Sequence, residues 1–126
     1  MKLDRIHHVA IIASNYEKSK EFYVEKLGFE ILRENYREAR NDYKLDLKLG
    51  DCEIELFGIS NAPKRPNYPE ACGLRHLAFK VDCIEEVVAE LKALGIETEP
   101  IRWDEYTNSK ATFFKDPDGL PLELHE

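Results

Sequence analysis

The sequence predicts an α+β chain: two βαβββ modules whose mixed sheets curl around a cleft. Three observations carry this reading. His8 opens one apolar run (8–13), and His76, 68 positions later, lies in a second (74–81). The triplets Ile54-Glu55-Leu56 and Leu122-Glu123-Leu124 repeat at the same interval of 68. Each apolar run leads into a capped helical pattern that stops at a glycine, Gly28 in one half and Gly95 in the other. Self-similarity at a fixed interval outweighs local propensity as evidence of architecture.

Taken in order, residues 6–12 alternate, with His8, Ala10 and Ile12 on one side and His7, Val9 and Ile11 on the other. Ser14 with Glu17 three residues later fits a capping box. The helix carries Ser19, Phe22, Tyr23 and Leu27 and ends at Gly28. Residues 29–33 then read as a strand, 35–42 as a polar loop, and 43–49 and 52–58 as strands joined at Gly50-Asp51. Pro63, Pro66 and Pro69 mark residues 59–73 as a linker. In the second half, 74–81 is a strand and Asp82 a cap, and Ile84, Val87, Val88, Leu91 and Leu94 form a helical stripe. Strands follow at 96–101, 110–114 and 120–124, with a loop at 103–109 and a turn at Asp116-Pro117-Asp118-Gly119. The chain therefore reads as one domain, 1–126, with modules at about 4–58 and 74–126.

Composition narrows the function classes. A net charge of −7 argues against a nucleic-acid backbone as partner. No apolar run approaches the roughly 18 residues of a membrane span, and no signal-peptide core precedes the first strand, so a cytoplasmic location is expected. Cys52, Cys72 and Cys83 are odd in number and lack a Cys-x-x-Cys spacing, which suits reduced thiols.

The strand alternation then isolates four residues. Ile54 and Leu56 need the helices, so Glu55 must face the other way, and the same holds for Glu123 between Leu122 and Leu124. His8 and His76 fall on that face too. Two imidazoles and two carboxylates on strand centres are costly unless partnered, and a divalent cation partners them. The competing reading is two structural histidines and two solvated glutamates; the shared interval favours the cation. His7 has the opposite parity and His125 lies past the last predicted strand, so neither is read as a ligand. A mixed N/O set without cysteine suits Zn²⁺ or Ni²⁺, with Co²⁺, Mn²⁺ or Fe²⁺ as further options.

From His8-Val9-Ala10-Ile11 to Asp116-Pro117-Asp118-Gly119-Leu120-Pro121-Leu122-Glu123-Leu124, the chain resembles the vicinal oxygen chelate superfamily, and among its members glyoxalase I. The resemblance places that family's four metal positions on His8, Glu55, His76 and Glu123. It implies an isomerase or lyase acting on a hemithioacetal or related α-hydroxycarbonyl compound through an enediolate. Glu123 would be the base, and Glu55 a ligand and second base. It also implies a homodimer with shared sites, His8 and Glu55 of one chain meeting His76 and Glu123 of the other. A thiol transferase, an Fe(II) dioxygenase or a non-catalytic metal- or small-ligand-binding module are the alternatives on the same fold. The small-molecule substrate, a thiol adduct in the glyoxalase reading, would meet Tyr36, Arg37, Arg40 and Arg75, which otherwise read as ordinary surface residues.

Overall fold

The computed structural model describes all residues, 1–126, and divides into two units, Met1–Lys64 and Arg65–Glu126. In the first, β1 (His8–Ala13) leads into α1 (Tyr16–Lys20), which continues as a π-helical stretch over Glu21–Lys26. Then come β2 (Ile31–Arg37), a 3₁₀ turn (Glu38–Arg40), β3 (Asp42–Leu49) and β4 (Cys52–Gly58). The sheet order is β1-β4-β3-β2, with β1 parallel to β4 and the other pairs antiparallel.

The second unit repeats the plan with β5 (Leu77–Lys80), α2 (Ile84–Ala93), β6 (Arg102–Asp104), β7 (Ser109–Lys115) and β8 (Pro121–His125). Its sheet order is β5-β8-β7-β6, with β5 parallel to β8. The two mixed four-stranded sheets are the expected pair of βαβββ folds. Each has a core on one sheet face: Leu45, Leu47, Ile54, Leu56 and Tyr23 in the first unit, and Ile84, Leu91, Phe114, Leu122 and Leu124 in the second. Burying such side chains is the main favourable term in folding.

Local details correct the sequence reading. Asn15, not Ser14, caps α1, its side chain accepting from Lys18 N at 3.1 Å. Buried Tyr16 sits against Gly58 and fixes the first helical residue, so the cap falls one position later. Of the polar segment expected as a loop, Asn35, Tyr36 and Arg37 belong to β2, Glu38–Arg40 form the 3₁₀ turn and Asp42 opens β3. β2 lies at the sheet edge and is exposed over most of its length, so it shows no apolar alternation. Arg33 with Asp46 and Arg37 with Asp42 tie it to β3 instead.

In the second unit the strand begins at Leu77 rather than Leu74, because the carbonyls of Leu74 and Arg75 are taken by the Arg65 guanidinium. α2 is capped from a distance, with Glu126 Oε1 accepting from Ile84 N at 2.9 Å, and not by Asp82. Residues 96–101 form no strand. Pro100 lacks an N–H, and this segment meets β7 only through Glu99 and its neighbours Thr112 and Phe113. The paired strand is β6, which begins at Arg102 and takes in Trp103 and Asp104 of the expected loop. β8 runs on to His125, so that histidine lies within the strand, in register with Ala111 and Lys80.

Candidate metal centre

Period-two geometry does the placing. Ile54 and Leu56 are fully buried at 0% exposure, so Glu55 between them projects from the opposite sheet face. Leu122 at 0% and Leu124 at 4% do the same for Glu123. In β1, Ile11 and Ala13 are buried while His8, Ala10 and Ile12 are exposed, which sends His8 to the Glu55 face. Parallel pairing of β1 with β4 sets Ala10 opposite Glu55 and His8, two residues earlier on the same face, opposite Glu53. His76 immediately precedes β5, beside Glu123 on β8.

Each module thus presents one imidazole–carboxylate pair. His8 Nε2 lies 3.4 Å from Glu55 Oε2, and His76 Nε2 lies 2.9 Å from Glu123 Oε2. Metal bonds of about 2.1 Å to nitrogen and oxygen put neighbouring donors about 3 to 3.5 Å apart in octahedral or tetrahedral surroundings. Both pairs have that spacing, so the residues fit half of a divalent-cation shell in each module.

The two pairs differ in their surroundings. Glu55 Oε1 is held by Lys44 Nζ at 2.9 Å, and the same ammonium reaches Asp46 Oδ1 at 2.6 Å. Asp46 is 2% exposed, and its second oxygen accepts from Arg33 Nε at 2.7 Å. Arg33 continues to Glu53. Burial opposes the Lys44 charge, but hydrogen bonds to Asp46 and Glu55 outweigh it and hold the pKa above the ordinary lysine value. Around Glu123 there is an aromatic instead: Phe113 is its cross-strand partner and meets the His76 ring edge-on at 5.3 Å.

Of the residues expected to meet substrate, Arg37 lies over the Phe57 ring at 4.8 Å and binds Asp42 through two nitrogens, both at 2.7 Å. Phe57 shares the face of Glu55, two residues along β4. Tyr36 goes to the other face, its ring against Tyr43 and its hydroxyl bonded to Asn41. Arg40 stands on the 3₁₀ turn. Arg75 bonds Asn67 O at 2.9 Å and covers the Tyr68 ring. Lys44, Asp46 and Phe113 escaped the sequence reading. Their parity marks them as facing away from the helices, but only the strand register shows which carboxylate each one neighbours. Cys83, Glu85 and Glu126 also bring donors within 4.8 Å of one another, yet Glu85 pairs with Lys110 and Glu126 caps α2.

Two βαβββ modules with mixed four-stranded sheets define a small class of folds. Residues 5–124 match the Glyoxalase/Bleomycin resistance protein/Dioxygenase superfamily, and the chain belongs to it. It is 59% identical over 127 residues to YwkD of Bacillus subtilis (strain 168), covering 100% of this chain and 99% of that protein. The crystal structure of the glyoxalase family protein from Enterococcus faecalis superposes with a TM-score of 0.95 at 67% identity, covering 100% of both chains. A probable lactoylglutathione lyase of Vibrio cholerae is 32% identical over 138 residues, covering 98% of this chain and 91% of that protein. No helix is long and apolar enough to cross a membrane.

Proposed function

We propose that the protein is a glyoxalase I-like isomerase or lyase, dependent on one divalent metal per site and acting on a hemithioacetal or related α-hydroxycarbonyl compound. The observation that carries the reading is the donor-like spacing of the two histidine–glutamate pairs, 3.4 and 2.9 Å. Similarity to a probable lactoylglutathione lyase supports the reaction class. His8, Glu55, His76 and Glu123 would hold the cation, with Zn²⁺ or Ni²⁺ best suited to the donor set. When bound, it supplies Lewis acidity to two neighbouring substrate oxygens.

The protein's own part is proton transfer. A Glu123 carboxylate oxygen takes the proton from the carbon beside the carbonyl and returns it to the adjacent carbon. Phe113, the cross-strand partner of Glu123, stands beside that carboxylate on the same sheet face. Following the family resemblance, we propose that a homodimer completes each site, His8 and Glu55 of one chain working with His76 and Glu123 of its partner.

The test is turnover of a panel of thiol-adduct carbonyl compounds by metal-loaded protein and by Glu123→Gln. The expected loss is about 10²- to 10⁴-fold in kcat, the usual worth of a positioned base. Equal inertness of both proteins across the panel overturns the isomerase reading.

A further inference from the structure

We propose that Lys44 is a positioning residue: it anchors Oε1 of Glu55, so that this carboxylate serves as a fixed ligand through Oε2 and Glu123 alone is free to move a proton. This rests on the four-ligand reading above. The two oxygens of Glu55 are already divided between neighbours. Oε1 faces the Lys44 ammonium at 2.9 Å and Oε2 faces His8 Nε2 at 3.4 Å. Lys44 is itself held on β3 by Asp46, which is buried and braced from its other side by Arg33. An ammonium fixed on one side and bonded to a carboxylate on the other limits rotation of that carboxylate.

The second module lacks this device, as the strand register shows. Asp46 is opposite Glu55 and Lys44 opposite Phe57, two residues further along β4. In the second sheet, Phe113 is opposite Glu123 and Ala111 opposite His125. An aromatic ring and a methyl group therefore stand where the first module has a carboxylate and an ammonium. Glu123 has its contact with His76 through Oε2 and meets no ammonium at Oε1. A base must swing and keep an unshared lone pair, and a carboxylate bonded to an ammonium is the poorer candidate. The asymmetry assigns the two roles within a duplicated frame.

The experiment measures Ni²⁺ affinity by chelator competition and the visible absorption of Co²⁺-loaded protein, which reports how the carboxylates bind. Lys44→Met is expected to weaken Ni²⁺ binding about tenfold, as loss of a partner behind a ligand does, and to alter the Co²⁺ bands. Lys44→Arg, which still reaches both carboxylates, restores affinity and spectrum. Lys44→Gln keeps an N–H donor for buried Asp46 and makes the same test should the methionine variant not fold. Unchanged affinity and spectrum in Lys44→Met and Lys44→Gln overturn the proposal while leaving the metal site standing. Tighter binding overturns it too, since Lys44 would then be holding Glu55 off the cation. Unsubstituted protein whose Ni²⁺ affinity is indifferent to His8→Ala and His76→Ala overturns the four-ligand reading, and this inference with it.

Discussion

Asp46 shows how a single buried charge is tolerated on a sheet face. It is 2% exposed, a position where an unpaired carboxylate would be untenable. Burial pushes its pKa up, but the hydrogen bonds from Lys44 and Arg33 prevail and hold it below the ordinary value of 3.8. A carboxyl with a lowered folded pKa contributes stability above its unfolded value and loses it as pH falls through the folded one. Asp46→Asn should therefore cost about 2 kcal/mol at pH 7, the scale of a lost charge-assisted hydrogen bond. The difference from the unsubstituted protein should shrink as pH drops below 3.8. Thermal melts of both proteins between pH 7 and 3 check this, and a difference independent of pH refutes it.

Among the elements, the start of α1 depends on a missing side chain. Tyr16 stacks on Tyr43 with ring centroids 4.2 Å apart and planes 6° from parallel, and its hydroxyl donates to Glu34. Burial, reinforced by that carboxylate, pushes the Tyr16 phenol well above its ordinary pKa. Gly58, the last residue of β4, lies under the ring, and a Cβ there would come within 2.7 Å of Tyr16 Cβ. Gly58→Ala should then destabilise the fold by about 1 to 3 kcal/mol through overpacking. Urea unfolding should show a lower midpoint with an unchanged slope; an unshifted midpoint would mean that α1 moves aside at no cost. The π-helical stretch after α1 is a second such detail. Its i→i+5 bond from Leu27 N to Phe22 O, 2.9 Å long, marks a widened turn where neighbouring Phe22 and Tyr23 both turn inward.

At the scale of the whole molecule, the proposed sharing of sites between chains has a test that depends on no substrate. One variant chain carries His8→Ala and Glu55→Gln, and a second carries His76→Ala and Glu123→Gln. Each alone should lose tight Ni²⁺ binding. Refolded together, they should regain one tight site per mixed dimer if each site draws its halves from two chains. Sites closed within one chain would leave every combination defective, and no tight site would return.

Much of this was legible from residue order, for a physical reason. A strand's period of two turns each buried aliphatic pair, Ile54 with Leu56 or Leu122 with Leu124, into a statement about where the residue between them points. Duplication then makes the statement twice, so the fold and the sheet face that carries His8, Glu55 and Glu123 could be read from the sequence. The cap of α1, the extent of β2 and the place of β6 could not. An edge strand held by Arg33 and Arg37 has no apolar alternation to betray it, and the cap on α2 comes from Glu126, 42 positions away. Only the tertiary structure decided that the Lys44 ammonium reaches Glu55 and that the Phe113 ring meets His76. Hairpin turns set the register of β3 on β4 and of β7 on β8, but which side chains then touch depends on neighbours from other strands, such as Arg33 of β2 against Asp46, and no local pattern encodes that.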